Sequence, residues 1–312
     1  MSPARRWAAA ALALAALAPA ACSTGAAGAG GGEDGRLDVL ASSPPLQHVA
    51  ETVGGEHVDV AGLVPAGGDS HDVELTAAQV GALGEADLLV HLSGVQPSTD
   101  TALEVSPPER VVDTAVLADL GGDPHFWLDP VRLGEAGRLV ADALTELDPE
   151  HAAAYASGAD ALAAEAAALD AEFSAALAPC RGATVVTSHE AFGYLAERYG
   201  LRQVGVAGID PHVEPSPARV RRVVDTVREA GVRTIFFESS TSPEVTEALA
   251  RELGVGTGVL HPVERAEEGE DYASLMRQNL EALTSGLVCD GTAQDGAAQD
   301  GTAQDGGNPS NS

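Results

Sequence analysis

Short apolar runs punctuate this chain, and between them lie longer stretches in which apolar residues return at helical spacing. The runs Leu37–Ala41, Val58–Val64, Asp87–His91 and Arg110–Asp113 precede a long Ala-, Leu- and Glu-rich segment, and Thr184–Thr187, Gln203–Ala207, Thr234–Glu238 and Gly256–Leu260 follow it. Apolar runs of strand length alternating with helical patterns predict βα units around a mainly parallel sheet, whose strands are covered on both faces. The long segment from Asp148 to Ala178 predicts one helix of roughly 45 Å at about 1.5 Å per residue. Asp148 reads as its N-cap, Pro149 as its first helical residue and Pro179 as its stop. Further helix starts are written at Thr76 with Gln79, at Ser216-Pro217 and at Ser242-Pro243. The expected fold class is α/β: two βα lobes with mainly parallel four-stranded sheets, residues 37–147 and 180–288, joined by one long rigid backbone helix over 148–179. Open α/β sheets bind ligands outside the carboxyl ends of their strands, which directs attention to the cleft between the lobes.

The two ends read differently. Arg5 and Arg6 precede an apolar run from Trp7 to Ala18 that stops at Pro19-Ala20-Ala21-Cys22, the form of a secretory signal over residues 1–22. The run is too short for a stable bilayer span, and the small residues before Cys22 point to cleavage there with lipid attached to the Cys. Residues 23–36 are mostly small and form a flexible tether. At the other end, residues 289–312, a Gly-Thr-Ala-Gln-Asp-Gly-like unit repeats with no apolar residue larger than Ala beyond Cys289, and a disordered acidic tail is expected.

Charge narrows the choice of guest. The formal net charge of -30 comes from 47 acidic residues against 17 basic ones, all Arg, which disfavours nucleic acid or an anionic bilayer as ligand and suits a cation. An acidic surface is also commonly just a solvated one. With Cys22 taken by the signal, Cys180 and Cys289 remain as an even pair in a compartment that permits disulfides; no CxxC occurs, and a Cys180–Cys289 bridge is expected.

Four of the nine His share a topological position. His71 follows the second strand run through a Gly-rich loop, His125 follows the fourth, and His189 and His261 directly follow the fifth and the eighth. Strand-end loops converge on one edge of a sheet, so these residues can meet around one ion, whereas the close ligand spacings of finger-type sites are absent. Imidazole donors suit Zn²⁺ and serve Mn²⁺ and Mg²⁺ poorly; Cu²⁺ is excluded only by geometry and supply.

The segments Gly-Gly-Asp-Ser-His71-Asp-Val-Glu-Leu-Thr76, Asp-Pro-His125-Phe-Trp-Leu-Asp-Pro130 and Thr-Ser-His189-Glu-Ala-Phe-Gly-Tyr-Leu195 resemble the motifs of the cluster A-I, ZnuA/TroA-like metal-binding proteins of bacterial ABC importers. The resemblance runs from Leu37 to Val288. It implies two βα lobes on a backbone helix, His71, His125 and His189 as metal ligands, and zinc as cargo, since relatives with His at the third position are typically zinc proteins. It further implies delivery to an ABC permease, an extracytoplasmic chain anchored through lipidated Cys22 on the outer face of the cell membrane, and a monomer with no nucleic-acid partner. Pro19 stands where lipoprotein signals usually carry Leu, and the His-rich insert of many zinc carriers is missing before His125.

At the fourth position the chain departs from its relatives, which usually carry Asp at that strand end; the local string is Val-Leu-His261-Pro-Val-Glu264. His261 is the expected fourth ligand, with Glu264 or water as the competing donor. Glu238 or Glu264 is expected to help neutralise the ion. Asp129 is read either as an acceptor orienting an imidazole or as a helix N-cap before Pro130, His212 as an auxiliary donor, and His91 as a satisfied interior residue. His48, His57 and His151 read as surface. A zinc-dependent hydrolase is the alternative, because three His and a metal-bound water are also a catalytic arrangement and Glu190 adjoins His189; Gly193 rules out an HExxH motif there. A surface adhesin is the other alternative.

Overall fold

A computed structural model describes residues 35–65, 67–118, 122–238, 244–265 and 271–289. The signal and Cys22, most of the tether, Ser242-Pro243 and the repeat tail lie outside the described residues. Within them are two four-stranded sheets, parallel throughout. The first has β1 (Leu37–Ala41), β2 (Val58–Gly62), β3 (Leu88–His91) and β4 (Arg110–Asp113) in the order β2-β1-β3-β4. The second repeats it with β5 (Thr184–Thr187), β6 (Arg202–Gly205), β7 (Thr234–Glu238) and β8 (Gly256–Leu260) in the order β6-β5-β7-β8. All four residues of β3 are buried, as an inner parallel strand requires, whereas the edge strand β4 buries Val112 alone.

Helices α1 (Pro44–Gly54), α2 (Ala77–Glu85), α3 (Pro97–Val105) and α4 (Pro130–Leu147) belong to the first lobe; α6 (Gly193–Tyr199), α7 (Pro217–Glu229), α8 (Glu244–Leu253) and α9 (Tyr272–Gly286) belong to the second. Thr76 and Gln79 form the expected capping box on α2, and the Ser216 hydroxyl accepts from the Arg219 N–H at the start of α7. The linking helix is shorter than expected. Asp148 has non-helical backbone angles, Pro149–His151 make a 3-10 turn, and α5 spans the 26 residues Ala152–Leu177, roughly 39 Å. Asp148 does not cap, because its carboxylate accepts from the His151 ring at 2.6 Å and from the Tyr155 hydroxyl at 2.7 Å.

One apolar core runs through both lobes, from Val39 and Leu88 past Phe126, Tyr155 and Phe173 to Phe236 and Met276. It is crossed by bonds between lobes: the Trp127 indole donates to the Pro262 carbonyl at 2.8 Å, and the Tyr272 hydroxyl to the Trp127 carbonyl at 2.6 Å. The Cys180–Cys289 disulfide is formed, closing the second lobe across a separation of 109 residues.

The close approach of α5 to α1 rests on Gly158. A Cβ there would sit 2.4 Å from the Val53 carbonyl oxygen and 2.8 Å from that of Thr52, both backbone atoms that cannot swing aside. Gly→Ala inside a helix ordinarily gains close to 1 kcal/mol. Gly158→Ala should instead lose about 1–3 kcal/mol from overpacking, read as a lower urea midpoint. A variant as stable as wild type would show that the two helices are not in this contact.

Candidate metal centre

Each donor lies on the chain that leaves the carboxyl end of a strand. Beyond β2 the chain turns through a 3-10 turn, Ser70–Asp72, whose N-cap Asp69 accepts from the His71 N–H at 2.9 Å. Beyond β4, Asp123 accepts from the His125 N–H at 3.0 Å and from its ring Nδ1 at 2.6 Å, and the buried Phe126-Trp127-Leu128 turn locks the segment into the core. His189 follows β5, and the neighbouring β7 ends on Glu238, whose carboxylate accepts from the His189 N–H at 3.2 Å and from its Nδ1 in a short contact. Glu264 follows β8, and its carbonyl accepts from the Ser70 hydroxyl of the other lobe at 2.7 Å.

His71, His125, His189 and Glu264 each offer a donor atom, and these atoms all lie within 4.8 Å of one another. The Nε2 atoms of His71 and His125 are 3.3 Å apart, and each is 2.7 Å from Glu264 Oε1. Donors about 2.0–2.1 Å from a tetrahedral Zn²⁺ stand roughly 3.3 Å from each other, so the imidazole pair already has the spacing of one tetrahedral edge. With Nδ1 of His125 and of His189 each held by a carboxylate, Nε2 is left as the lone-pair donor on both rings. Nε2 of His189 is buried with no hydrogen-bond partner among the described residues. A buried imidazole lone pair left unmatched costs about 1–3 kcal/mol, and a cation is the natural match. His125, His189 and Glu264 are all buried, while His71 is partly open to a cavity of about 610 Å³ lined also by Asp72, Pro97 and His212.

The electrostatics agree with a cation seat. Burial pushes the His125 ring pKa down, but the Glu264 carboxylate and the Asp123 bond outweigh it and raise it to about 9. Burial acts the same way on His71, where the Glu264 bond and charge again win. Burial would raise the Glu264 carboxyl, yet His125 and His71 hold it well below the usual carboxylate range. Three imidazoles and one carboxylate leave a Zn²⁺ shell one positive charge in excess, which Asp123 and Glu238 behind the rings offset.

The fourth member of the donor group is Glu264, the competing donor of the sequence reading, and not His261. The backbone of His261 is clamped by Asn279 of α9, whose side chain accepts from its N–H at 2.7 Å and donates to its carbonyl at 2.8 Å. From that fixed point the chain turns through Pro262 and Val263, the latter at φ +61°, and it is Glu264 that enters the donor group. A β-branched residue at positive φ is costly, about 1–3 kcal/mol, and such strain gathers at functional sites.

Asp123 is the residue that sequence reading missed. Its place two before His125 in Asp-Pro-His is an Asx-turn signal that, in hindsight, marks it. Asp129 is the N-cap of α4, accepting from the Val131 N–H at 3.0 Å and pairing with Arg198. His91 is buried and bonded to Asp100 at 2.9 Å. His212 is exposed on the rim of the same cavity, outside the donor group. His48 is half-buried, and His57 stacks on His151 with ring centroids 3.9 Å apart, neither being in the donor group.

The family model described as ZnuA, zinc-uptake complex component A, periplasmic, matches residues 39–286. The zinc-binding lipoprotein AdcA of Streptococcus pneumoniae is 30% identical over 288 residues, covering 83% of this chain and 58% of AdcA. The chain thus spans 58% of the length of that curated relative. Among solved structures, the laminin-binding protein Lbp of Streptococcus pyogenes is 33% identical with a TM-score of 0.74, over 81% of this chain and 100% of Lbp. The Zn(II)-bound ZnuA-like domain of Streptococcus pneumoniae AdcA is 30% identical with a TM-score of 0.71, over 82% of this chain and 100% of that domain. The match begins in β1, ends with α9 and takes in both sheets and the helix between them, and on that extent the chain belongs to the ZnuA family of periplasmic zinc-uptake components.

Proposed function

We propose that this chain captures one zinc ion between its lobes through His71, His125, His189 and Glu264 and delivers it to an ABC-type permease. The observation that carries this reading is the buried, unpartnered Nε2 of His189 beside two imidazole nitrogens 3.3 Å apart. The signal-like residues 1–22 extend it to an extracytoplasmic chain tethered through lipid on Cys22 to the outer face of the cell membrane, and the proposal includes a monomer whose 37–147 and 180–288 lobes are carried on the 148–179 segment. The family is one of zinc-uptake binding components and not of enzymes. Four protein donors also fill a tetrahedral shell and leave no position for the metal-bound water of a hydrolase.

Metal analysis of protein purified without added metal should find one zinc per chain, with Zn²⁺ outcompeting Mn²⁺ in a mixed titration and Cu²⁺ run alongside. No bound zinc, or preference for Mn²⁺, would refute the reading. Loss of zinc-limited growth on deletion of the gene tests delivery.

Chelation should strip the metal without unfolding the chain, because the core through Tyr155 and Phe173 is apolar and owes nothing to the ion. Far-UV circular dichroism should stay unchanged and the melting temperature should fall only by the amount that ligand mass action sets. Global unfolding on chelation would make this a structural zinc site instead of a carrier's.

A further inference from the structure

Three strands of the second sheet are led by arginines at the end away from the histidines. Arg202 opens β6 and pairs in register with Thr184 of β5. On the other side of β5, the Val186–Ile235 pairing carried back two residues sets Arg233 opposite Thr184 as well. Partners in a parallel ladder share a face and strands lie about 4.8 Å apart, so Arg202 and Arg233 flank Thr184 on one face at roughly 10 Å. Arg181 sits in the turn that leads into β5. All three line one cavity of about 370 Å³, together with Thr184, Cys180 and Val288.

Several arginines of this chain find carboxylates, as Arg110 does with Glu146, Arg198 with Asp170, Arg219 with Glu190 and Arg277 with Glu172. Among the described residues, Arg181, Arg202 and Arg233 have no such partner; Arg202 Nε donates to the Gly182 carbonyl at 3.3 Å. In a chain with 47 acidic residues and 17 arginines, three guanidiniums around one hollow with no carboxylate among the described lining residues repel one another, a repulsion that an anion relieves. Planar guanidinium forks match the two oxygens of a carboxylate or phosphate.

We propose that this cavity is an oxyanion-binding site, holding a phosphate or carboxylate group between Arg181, Arg202 and Arg233. Two sources supply that chemistry. One is a free oxyanion such as inorganic phosphate. The other is the chain's own C-terminal repeat, which carries Asp290, Asp295, Asp300 and Asp305 and leaves from Cys289, itself bonded to Cys180 at the cavity wall. The site lies at the opposite end of β5 from His189, so its occupancy is read without reference to zinc.

The test is calorimetric titration of the full chain with inorganic phosphate at low ionic strength. Wild type is compared with Arg202→Gln/Arg233→Gln, with the fourfold Asp→Asn change at 290, 295, 300 and 305, and with both sets combined. Phosphate binding to wild type that weakens by about tenfold or more in the Arg variant supports the site with a free oxyanion as its guest. Binding that appears, or tightens by about tenfold, in the Asp→Asn chain and is lost again in the combined variant supports the site with the repeat's carboxylates as its guest. Phosphate binding in neither background, or binding that the Arg substitutions leave unchanged, overturns the proposal. Both arginines are exposed, so the variants should melt with wild type; Arg202→Lys/Arg233→Lys, which keeps charge and loses the fork, serves as a second check on folding and should bind more weakly than wild type.

Discussion

Glu264→Ala is expected to weaken zinc binding by two to three orders of magnitude, while His261→Ala leaves it within a few-fold of wild type. Glu264 is 2% exposed and its Oε1 lies 2.7 Å from the Nε2 atoms of both His71 and His125. Removing one member of such a buried charged set costs about 3–5 kcal/mol, and each 1.4 kcal/mol or so is tenfold in affinity. Two losses add there: a donor to the ion, and the one carboxylate charge in the donor group. The backbone of His261 is bonded to Asn279, and truncating its side chain leaves those bonds in place. The measurement is competition against a chelator of known zinc affinity, with His189→Ala as the reference for a lost ligand. If His261→Ala falls as far as His189→Ala and Glu264→Ala does not, the fourth ligand is His261 and the turn at Val263 has no part in binding.

Acidification should release zinc steeply, beginning above neutral pH. In the metal-free protein the His125 ring has a pKa of about 9 against its ordinary 6.5, so at pH 7 zinc must displace a proton from it. Each displaced proton lowers apparent affinity about tenfold per pH unit, and about a hundredfold loss is expected between pH 8 and pH 6 from His125 alone. The raised His71 pKa adds a second proton at the acid end and steepens the fall. The stability of the metal-free protein carries the opposite sign. A raised His125 pKa contributes stability that is whole below 6.5 and is lost as pH rises through about 9. The depressed Glu264 pKa contributes stability that is present above its ordinary 4.5 and is lost as pH falls below it. The pair therefore supports the empty fold best between those two ordinary values, and the gain in melting temperature on adding zinc should grow from pH 6 to pH 9. An NMR titration of the His125 ring, in wild type and in Glu264→Gln, isolates the cause. The midpoint should fall when the carboxylate is neutralised, and a zinc affinity flat between pH 6 and pH 8 would sink the account.

The parallel sheets were legible in the residues alone. Leu37–Ala41, Arg110–Asp113, Thr184–Thr187, Thr234–Glu238 and Gly256–Leu260 are strands with the expected bounds, because each is a short run holding apolar residues and set between turn residues. The gathering of His71, His125 and His189 was legible because each lies on the chain that leaves the carboxyl end of a strand, and strand ends of such sheets converge. Tertiary structure decided the rest. That Asp148 binds His151 and Tyr155 instead of capping α5 depends on where the Tyr155 and His151 side chains pack. Asp123 orients its imidazole from two residues away, within a local turn, whereas Glu238 orients His189 across a contact that no local pattern encodes, joining residues 49 apart. That Glu264 and not His261 gathers with the three imidazoles goes with an Asn279 side chain 18 residues from His261 and with a valine held at φ +61°, a conformation its own propensity opposes. Sequence periodicity reports which face of an element is buried, so it finds the elements and the strand ends; which of two neighbouring side chains reaches an ion is settled by contacts between elements, and those exist only once the chain has folded.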